Sequence, residues 1–339
     1  MTAEDKKRNL RIVLSILLGL ALVGLLVYMM DIPKLVRSLR EANLPLVAVA
    51  CVINVLVMGA KGTRWYLIGA SSSSLSLWQS IRLTILAFFF NSFIPARGGD
   101  VIRGLAAARE NRASRTASIA TVGLDKLMDM LTVFFLALGF PFLPNLPAWV
   151  KRGTLISLIL AFALLVGVVV IAVKGRGLVR PERHPRLAKF FGMLASGFDS
   201  AVRPRIILLA VVLSLLSYAF QMAMVFLCCR STGIGVGVAE AACALLVLNV
   251  AVSVPLTPLN VGTMHAALVA VLIFLGNARE PALTAAIALH VAYQLPLFVL
   301  APFLGHRTFL ARVRGEPGSP QGAPSGRPAA DDQEKSGKV

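Results

Sequence analysis

Three charged residues stand where only apolar ones are expected. Asp125, Lys126 and Asp129 fall nine to thirteen residues into the apolar stretch 116–140, a depth of about 14 to 20 Å at the 1.5 Å rise of a helix. A charge at mid-bilayer costs at least ~2.5 kcal/mol, so such groups face a cavity or one another and mark a functional site by default. Lys126 and Asp129 are three apart and placed to pair, while Asp125 and Asp129 share a helix face. They suit the binding of a charged group within the membrane, and equally an ion pair that fixes helix packing. A second set runs Asn91-Ser-Phe-Ile-Pro95-Ala-Arg97-Gly98-Gly99-Asp100-Val-Ile-Arg103. Asp100 is placed as a helix N-cap. The helix amino terminus it opens, with Arg97 and Arg103 nearby, has the make-up of an anion site, although flank charge alone explains both arginines. His290, close to Tyr293, Gln294 and Pro296, reads as a core histidine held by an interhelical hydrogen bond, with binding to a ligand as the alternative, and His265 reads similarly. No Cys, Asp or Glu joins these histidines at metal spacing, and no GxSxG, HExxH or Walker sequence occurs, so no metal, cofactor or enzymatic activity is expected.

The elements that must hold these residues are set by composition. Of 339 residues, 57% are hydrophobic and 15% charged, which excludes a soluble domain and leaves an all-α polytopic membrane protein. Apolar stretches long enough to span lie at 10–30, 44–60, 116–140, 154–173, 206–229 and 281–304, six in all. The first has a basic front (Lys6, Lys7, Arg8, Arg11) but no small-residue cleavage site, so it is expected to be retained. The formal charge of +18 follows from the positive-inside rule and does not call for nucleic acid. Cys51, Cys228, Cys229 and Cys243 all lie in apolar stretches and read as small core residues. Trp65, Trp78 and Trp149 fall near span ends, where aromatic belts form.

Two further apolar regions are broken at membrane depth. Stretch 75–94 runs into Pro95, Gly98 and Gly99, and 239–276 is cut by Pro255, Pro258 and Gly262. Proline removes a backbone donor, and backbone freed in this way survives in a membrane only where protein or a watery cavity satisfies it. A full crossing by 75–94 would put Arg97, Arg103, Arg109, Arg112 and Arg115 outside, against the positive-inside rule, whereas a re-entrant hairpin keeps them inside. With both termini cytoplasmic, the inner segments carry 26 cations and 10 anions, the outer ones 7 and 4. This threading gives two halves of opposite orientation, each with a broken hairpin, which is the inverted-repeat plan of many transporters. Glycine also follows proline by four residues in both breaks, at Pro95 and Gly99 and at Pro258 and Gly262. Residues 31–43 and 186–202 suit short interfacial helices. The expected organisation is a cytoplasmic segment 1–9, a membrane domain 10–305 and a tail 306–339, disordered from Gly315 onward by its Pro, Gly and Ser content.

The run from Asn91 through Pro95 and Gly98-Gly99-Asp100 to Arg103, followed by Asp125-Lys126, resembles the signature of the lysylphosphatidylglycerol synthase transmembrane, or flippase-like domain, family. That family commonly has Arg where Lys126 stands. Its second-half pattern, Pro-Gly-Gly-x-Gly-x-x-Glu, is met here by Pro258-Leu259-Asn260-Val261-Gly262-Thr263-Met264-His265, with the paired glycines and the acid replaced. The resemblance covers roughly residues 10–305. It implies movement or handling of lipids with large polar headgroups. Its stand-alone members are tied to polyprenyl-lipid or glycolipid pathways.

Together these readings predict a flippase-like protein of the cell membrane. Its expected partners are anionic membrane lipids, passing Asn91, Arg97, Asp100, Arg103, Asp125, Lys126, Asp129 and His290, with Pro95, Gly98, Gly99, Pro258 and Gly262 as hinges. The alternative is a non-transporting scaffold for a lipid-modifying or glycosyl transferase.

Overall fold

The computed structural model describes residues 31–69, 75–94, 98–111, 114–138, 204–253 and 257–313, with a few isolated positions elsewhere. The expected spans 10–30 and 154–173, the expected short helix at 186–202, Trp149, Pro95, Arg97, Pro255 and the tail beyond residue 313 lie outside them. The described helices, in chain order, are α1 (Ile32–Glu41), α2 (Leu44–Gly69), α3 (Leu77–Asn91), α4 (Gly98–Glu110) and α5 (Arg115–Leu138). They continue with α6 (Pro204–Ser231), α7 (Val238–Ser253), α8 (Thr263–Phe274) and α9 (Arg279–Val313), and there is no strand among the described residues. α2, α6 and α9 are each long and apolar enough to cross a membrane. At 24 residues, α5 is roughly 36 Å long, enough to cross but for the charges at its middle. The chain is an all-α polytopic membrane protein.

Local sequence sets the helix ends. Asp31 caps α1, accepting the Lys34 N–H at 3.2 Å, and this short helix rests on α9, where expectation had placed an interfacial helix. Ser76 and Gln79 form a reciprocal capping box on α3, Ser76 Oγ accepting the Gln79 N–H at 3.2 Å and Gln79 Oε1 the Ser76 N–H at 3.0 Å. α3 and α4, of 15 and 13 residues, are roughly 20 Å long and too short to cross a ~30 Å hydrocarbon core singly. They pack on each other as the first broken hairpin. α7 and α8 pair in the same way as the second, with a 3-10 turn at Pro258–Asn260 leading toward α8. Two boundaries differ from expectation. α2 runs to Gly69 rather than stopping near residue 60, because Trp65, Leu67 and Ile68 prolong its apolar face past two cations. α9 continues beyond residue 305 to Val313.

The helix packing is that of a repeat. Exchanging α2 with α6, α3 with α7, α4 with α8 and α5 with α9 maps the α2–α6 contact onto itself and each other main helix–helix contact onto another, save that of α1 on α9. The paired spans α2 and α6 are antiparallel. The Asn43 N–H, just before α2, donates to the Ser231 carbonyl at the end of α6, while Arg64, late in α2, reaches Ser214, early in α6. The two hairpin tips meet between the halves. Leu259 N–H donates to the Ser92 carbonyl at 2.7 Å, and Gln294 of α9 joins both tips through Ser92 Oγ (3.1 Å) and the Leu259 carbonyl (3.3 Å). Leu259 and Asn260 hold φ of 56° and 57° there, a left-handed backbone that costs leucine about 1–2 kcal/mol.

The apolar core is unevenly shared. One large cluster, including Met224, Cys228, Leu245, Leu268, Leu272 and Leu289, lies mostly in the second half and takes in Val47, Ala50, Val57 and Ala137 of the first. The first half has two small clusters, around Trp65 and around Met58. All four cysteines are free thiols, three of them buried.

Candidate functional site

Beside its smaller apolar clusters, the first half holds a line of charges. Lys126 Nζ lies 3.0 Å from Asp100, and Arg103 Nε 3.4 Å from the same carboxylate. Arg103 Nη2 donates to Asp125 at 2.6 Å, and Arg64 Nε donates to the other Asp125 oxygen at 2.7 Å. Arg64 Nη2 then reaches Asp129 at 2.9 Å, and Lys61 Nζ donates to Asp129 at 2.8 Å. The order is Lys126, Asp100, Arg103, Asp125, Arg64, Asp129, Lys61, with strictly alternating sign. α2, α4 and α5 each contribute to it.

Seven isolated charges at this depth would cost on the order of 20 kcal/mol, more than the roughly 5–15 kcal/mol that stabilises a typical fold. Alternation is what makes the cluster tolerable, since each carboxylate contacts two cations and each arginine two carboxylates. The two arginines take the middle because a guanidinium fork serves several acceptors at once. Arg64 also donates to Ser214 Oγ at 2.8 Å and to the Asp125 carbonyl at 3.1 Å. Arg103 gives Nη1 to Thr84 Oγ1 at 3.3 Å and lies over the Trp65 ring at 4.6 Å, a stacked cation–π contact. Its Nε has no well-aligned acceptor.

Burial is graded along the line. The Arg64, Arg103 and Asp125 side chains are at most 3% exposed, whereas Lys61, Asp129 and Lys126 are 10%, 18% and 26% exposed. The cluster is sealed at its centre and more exposed toward its two ends. Lys61 sits over the Tyr218 ring at 5.2 Å and Lys126 over the Phe88 ring at 5.8 Å.

Several expectations are corrected by this geometry. Lys61 and Arg64, just past the expected end of span 44–60, are not free flanking cations. They are buried in the cluster, and the sign of it in the sequence was the apolar run Trp65 to Ile68 beyond them. Lys126 and Asp129 are not paired with each other, because each finds its partner on another helix. Asp100 is not an N-cap but the third residue of α4, where it joins the charge line and accepts Asn91 Nδ2 across the hairpin at 3.2 Å. Trp65 is fully buried rather than in a belt, its Nε1 donating to Thr121 Oγ1 at 3.1 Å. His290 makes no interhelical hydrogen bond through Nδ1, which lacks a partner. It stacks on His265 with ring centroids 4.8 Å apart. His265 Nδ1 accepts the Gly262 N–H at 3.4 Å. Neither histidine is in the charge line. Thus Asp100, Arg103, Asp125, Lys126 and Asp129 are brought together, Asn91 touches the line through Asp100, and His290 stands apart.

Of the expected hinges, Gly98 and Gly99 open α4, Pro258 opens the 3-10 turn, and Gly262 (φ 84°) precedes α8. Gly99 is required by space, because a Cβ there would run into the Ala87 carbonyl and lie 2.8 Å from Asn91 Oδ1. That closeness brings Asn91 within reach of Asp100.

Beside the site, a groove of about 480 Å³ opens between α2, α3, α6 and α9. Its walls are apolar, including Leu56, Trp78, Ile81, Leu216 and Phe220. No group of three metal-ligating side chains occurs among the described residues.

The family model described as the lysylphosphatidylglycerol synthase TM region matches residues 12–301. No curated protein and no solved structure matches the chain.

Proposed function

Since this chain belongs to the lysylphosphatidylglycerol synthase transmembrane family, we propose that it handles or translocates membrane lipids whose polar headgroups are anionic or polyprenyl-linked. The observation that carries this reading is the charge line. It lies among membrane helices, ends in a lysine at each end, and is more exposed at those ends than at its centre. An anionic headgroup enters beside the first hairpin and meets Lys126 and Lys61, while its hydrocarbon chains stay in lipid or lie along the apolar groove. Meeting hairpin tips, the antiparallel pair α2 and α6 and the repeated packing pattern support a path between the halves, as in transporters built from inverted repeats. In this reading the protein sits in the cell membrane with both termini cytoplasmic, as the distribution of cations supports.

The test is headgroup translocation in liposomes holding purified protein, with fluorescent anionic and polyprenyl lipids. Faster translocation than in protein-free liposomes is expected, and no acceleration with any lipid would overturn transport. Asp125→Asn separates transport from scaffolding of a transferase. At normal protein level a transporter loses activity, whereas a scaffold shows altered assembly alone.

A further inference from the structure

We propose that α9 is a hinge that bends at Pro296, and that the bend works a gate between the two hairpin tips, with Gln294 as its latch. This rests on the path between the halves inferred above and adds the element that opens it.

α9 serves a different hairpin on each side of Pro296. Before the proline, Ala285, Leu289 and Ala292 share an apolar cluster with Leu268 and Leu272 of α8, and His290 stacks on His265. After it, Leu297 shares a cluster with Ile85 of α3, and the Phe298 ring meets Phe89 and Phe93 edge to face at 5.5 and 5.8 Å. The changeover coincides with a break in the helix, because Pro296 has no N–H to give the Ala292 carbonyl. At the same level Asn54 of α2 donates its side-chain amide to the Tyr293 carbonyl at 2.9 Å. Support of this kind from a neighbouring helix is what lets a proline break persist within a membrane.

The hairpins themselves are loosely joined. Among the described residues, no main helix contact links α3 or α4 to α7 or α8. Three hydrogen bonds hold the tips: Leu259 N–H to the Ser92 carbonyl, Ser92 Oγ to Gln294 Oε1, and Gln294 Nε2 to the Leu259 carbonyl. Two of the three run through Gln294, two residues before the proline. Each contributes little net once other partners replace it, and parting also frees Leu259 and Asn260 from their left-handed backbone. A bend at Pro296 therefore carries the hairpins apart, each with its own segment of α9, and the latch is what lets go.

The experiment uses the purified full-length chain in liposomes. Hydrogen exchange of the segment 257–262, read by mass spectrometry, reports on the tips whether or not any lipid moves. Gln294→Met keeps the length of the side chain but neither bond, and should speed this exchange about tenfold, the size of one net hydrogen bond. Pro296→Ala restores the missing donor, stiffens α9 and should slow the exchange. Ser92→Cys combined with Leu259→Cys sets two thiols where the backbones meet. Oxidation of this pair should lower lipid translocation at least about tenfold, as for a gate that must open, and reduction should restore it. Each single-cysteine variant, oxidised alike, is the control for the four native thiols. Thermal unfolding identifies the variants that fold as the parent does, and only these are compared. Translocation at the parent rate with the cross-link complete overturns the gate. Exchange unchanged in both folded variants, Gln294→Met and Pro296→Ala, overturns the latch and the hinge. If the parent moves no lipid while exchange responds as expected, the hinge and latch stand and the lipid reading falls.

Discussion

The two halves share one packing plan and differ in what fills it. In each, a span, a broken hairpin and a second span pack in the same pattern. In the second half the space between them is filled by leucine, alanine and cysteine. In the first half it holds seven charges in alternation. The same contrast appears at the hairpin breaks. Asn91 and Asp100 bridge the first, and the hydroxyls of Thr257 and Thr263, 3.1 Å apart, bridge the second. A common fold therefore does not require a common chemistry, and the chemistry is concentrated in one copy.

That contrast gives four ways to test it, in order of expected size. Arg64→Leu removes the central cation and leaves two carboxylates short of a partner, a loss of about 3–5 kcal/mol visible as a fall in thermal stability or in yield of folded protein. Gly99→Leu forces α3 and α4 apart at about 1–3 kcal/mol. Loss of headgroup binding should accompany it, as Asn91 and Asp100 separate. Leu259→Gly relieves the left-handed leucine and should raise stability by up to about 1 kcal/mol, read as a higher unfolding temperature. His290→Phe keeps a ring against His265 and should cost about 0.6 kcal/mol or less. Lipid translocation should stay at the parent rate in this variant. Strong loss there would show that the second half also carries the chemistry.

Much of the fold was legible in the sequence, because apolar length and Pro–Gly interruption act locally. Spans 44–60, 116–140, 206–229 and 281–304 fall on α2, α5, α6 and α9, and both breaks fall between short helices. The charged residues of α5 were legible for the same reason, a charge in an apolar run being conspicuous. Their partners were not. Lys61 and Arg64 stand near the end of a long apolar segment, which is also where flanking cations stand, and only the tertiary packing of α2 on α5 and α6 distinguishes the two. The polar anchors Thr84 and Ser214 carry no signal of their own in sequence. For Lys126 and Asp129, local spacing allowed a pair, but each found a closer partner on a neighbouring helix.

The charge line also imposes an order on biosynthesis. Arg64 is separated from its carboxylates by 61 and 65 positions, and Lys61 from Asp129 by 68. At a synthesis rate of about 5–20 residues per second, roughly 3 to 14 s pass before the partners emerge. Because Lys61 and Arg64 belong to the last third of α2, their long side chains can reach interfacial water while they wait. Asp125 and Asp129, at the middle of their helix, have no such refuge, and the nascent chain meets them with cations already in place.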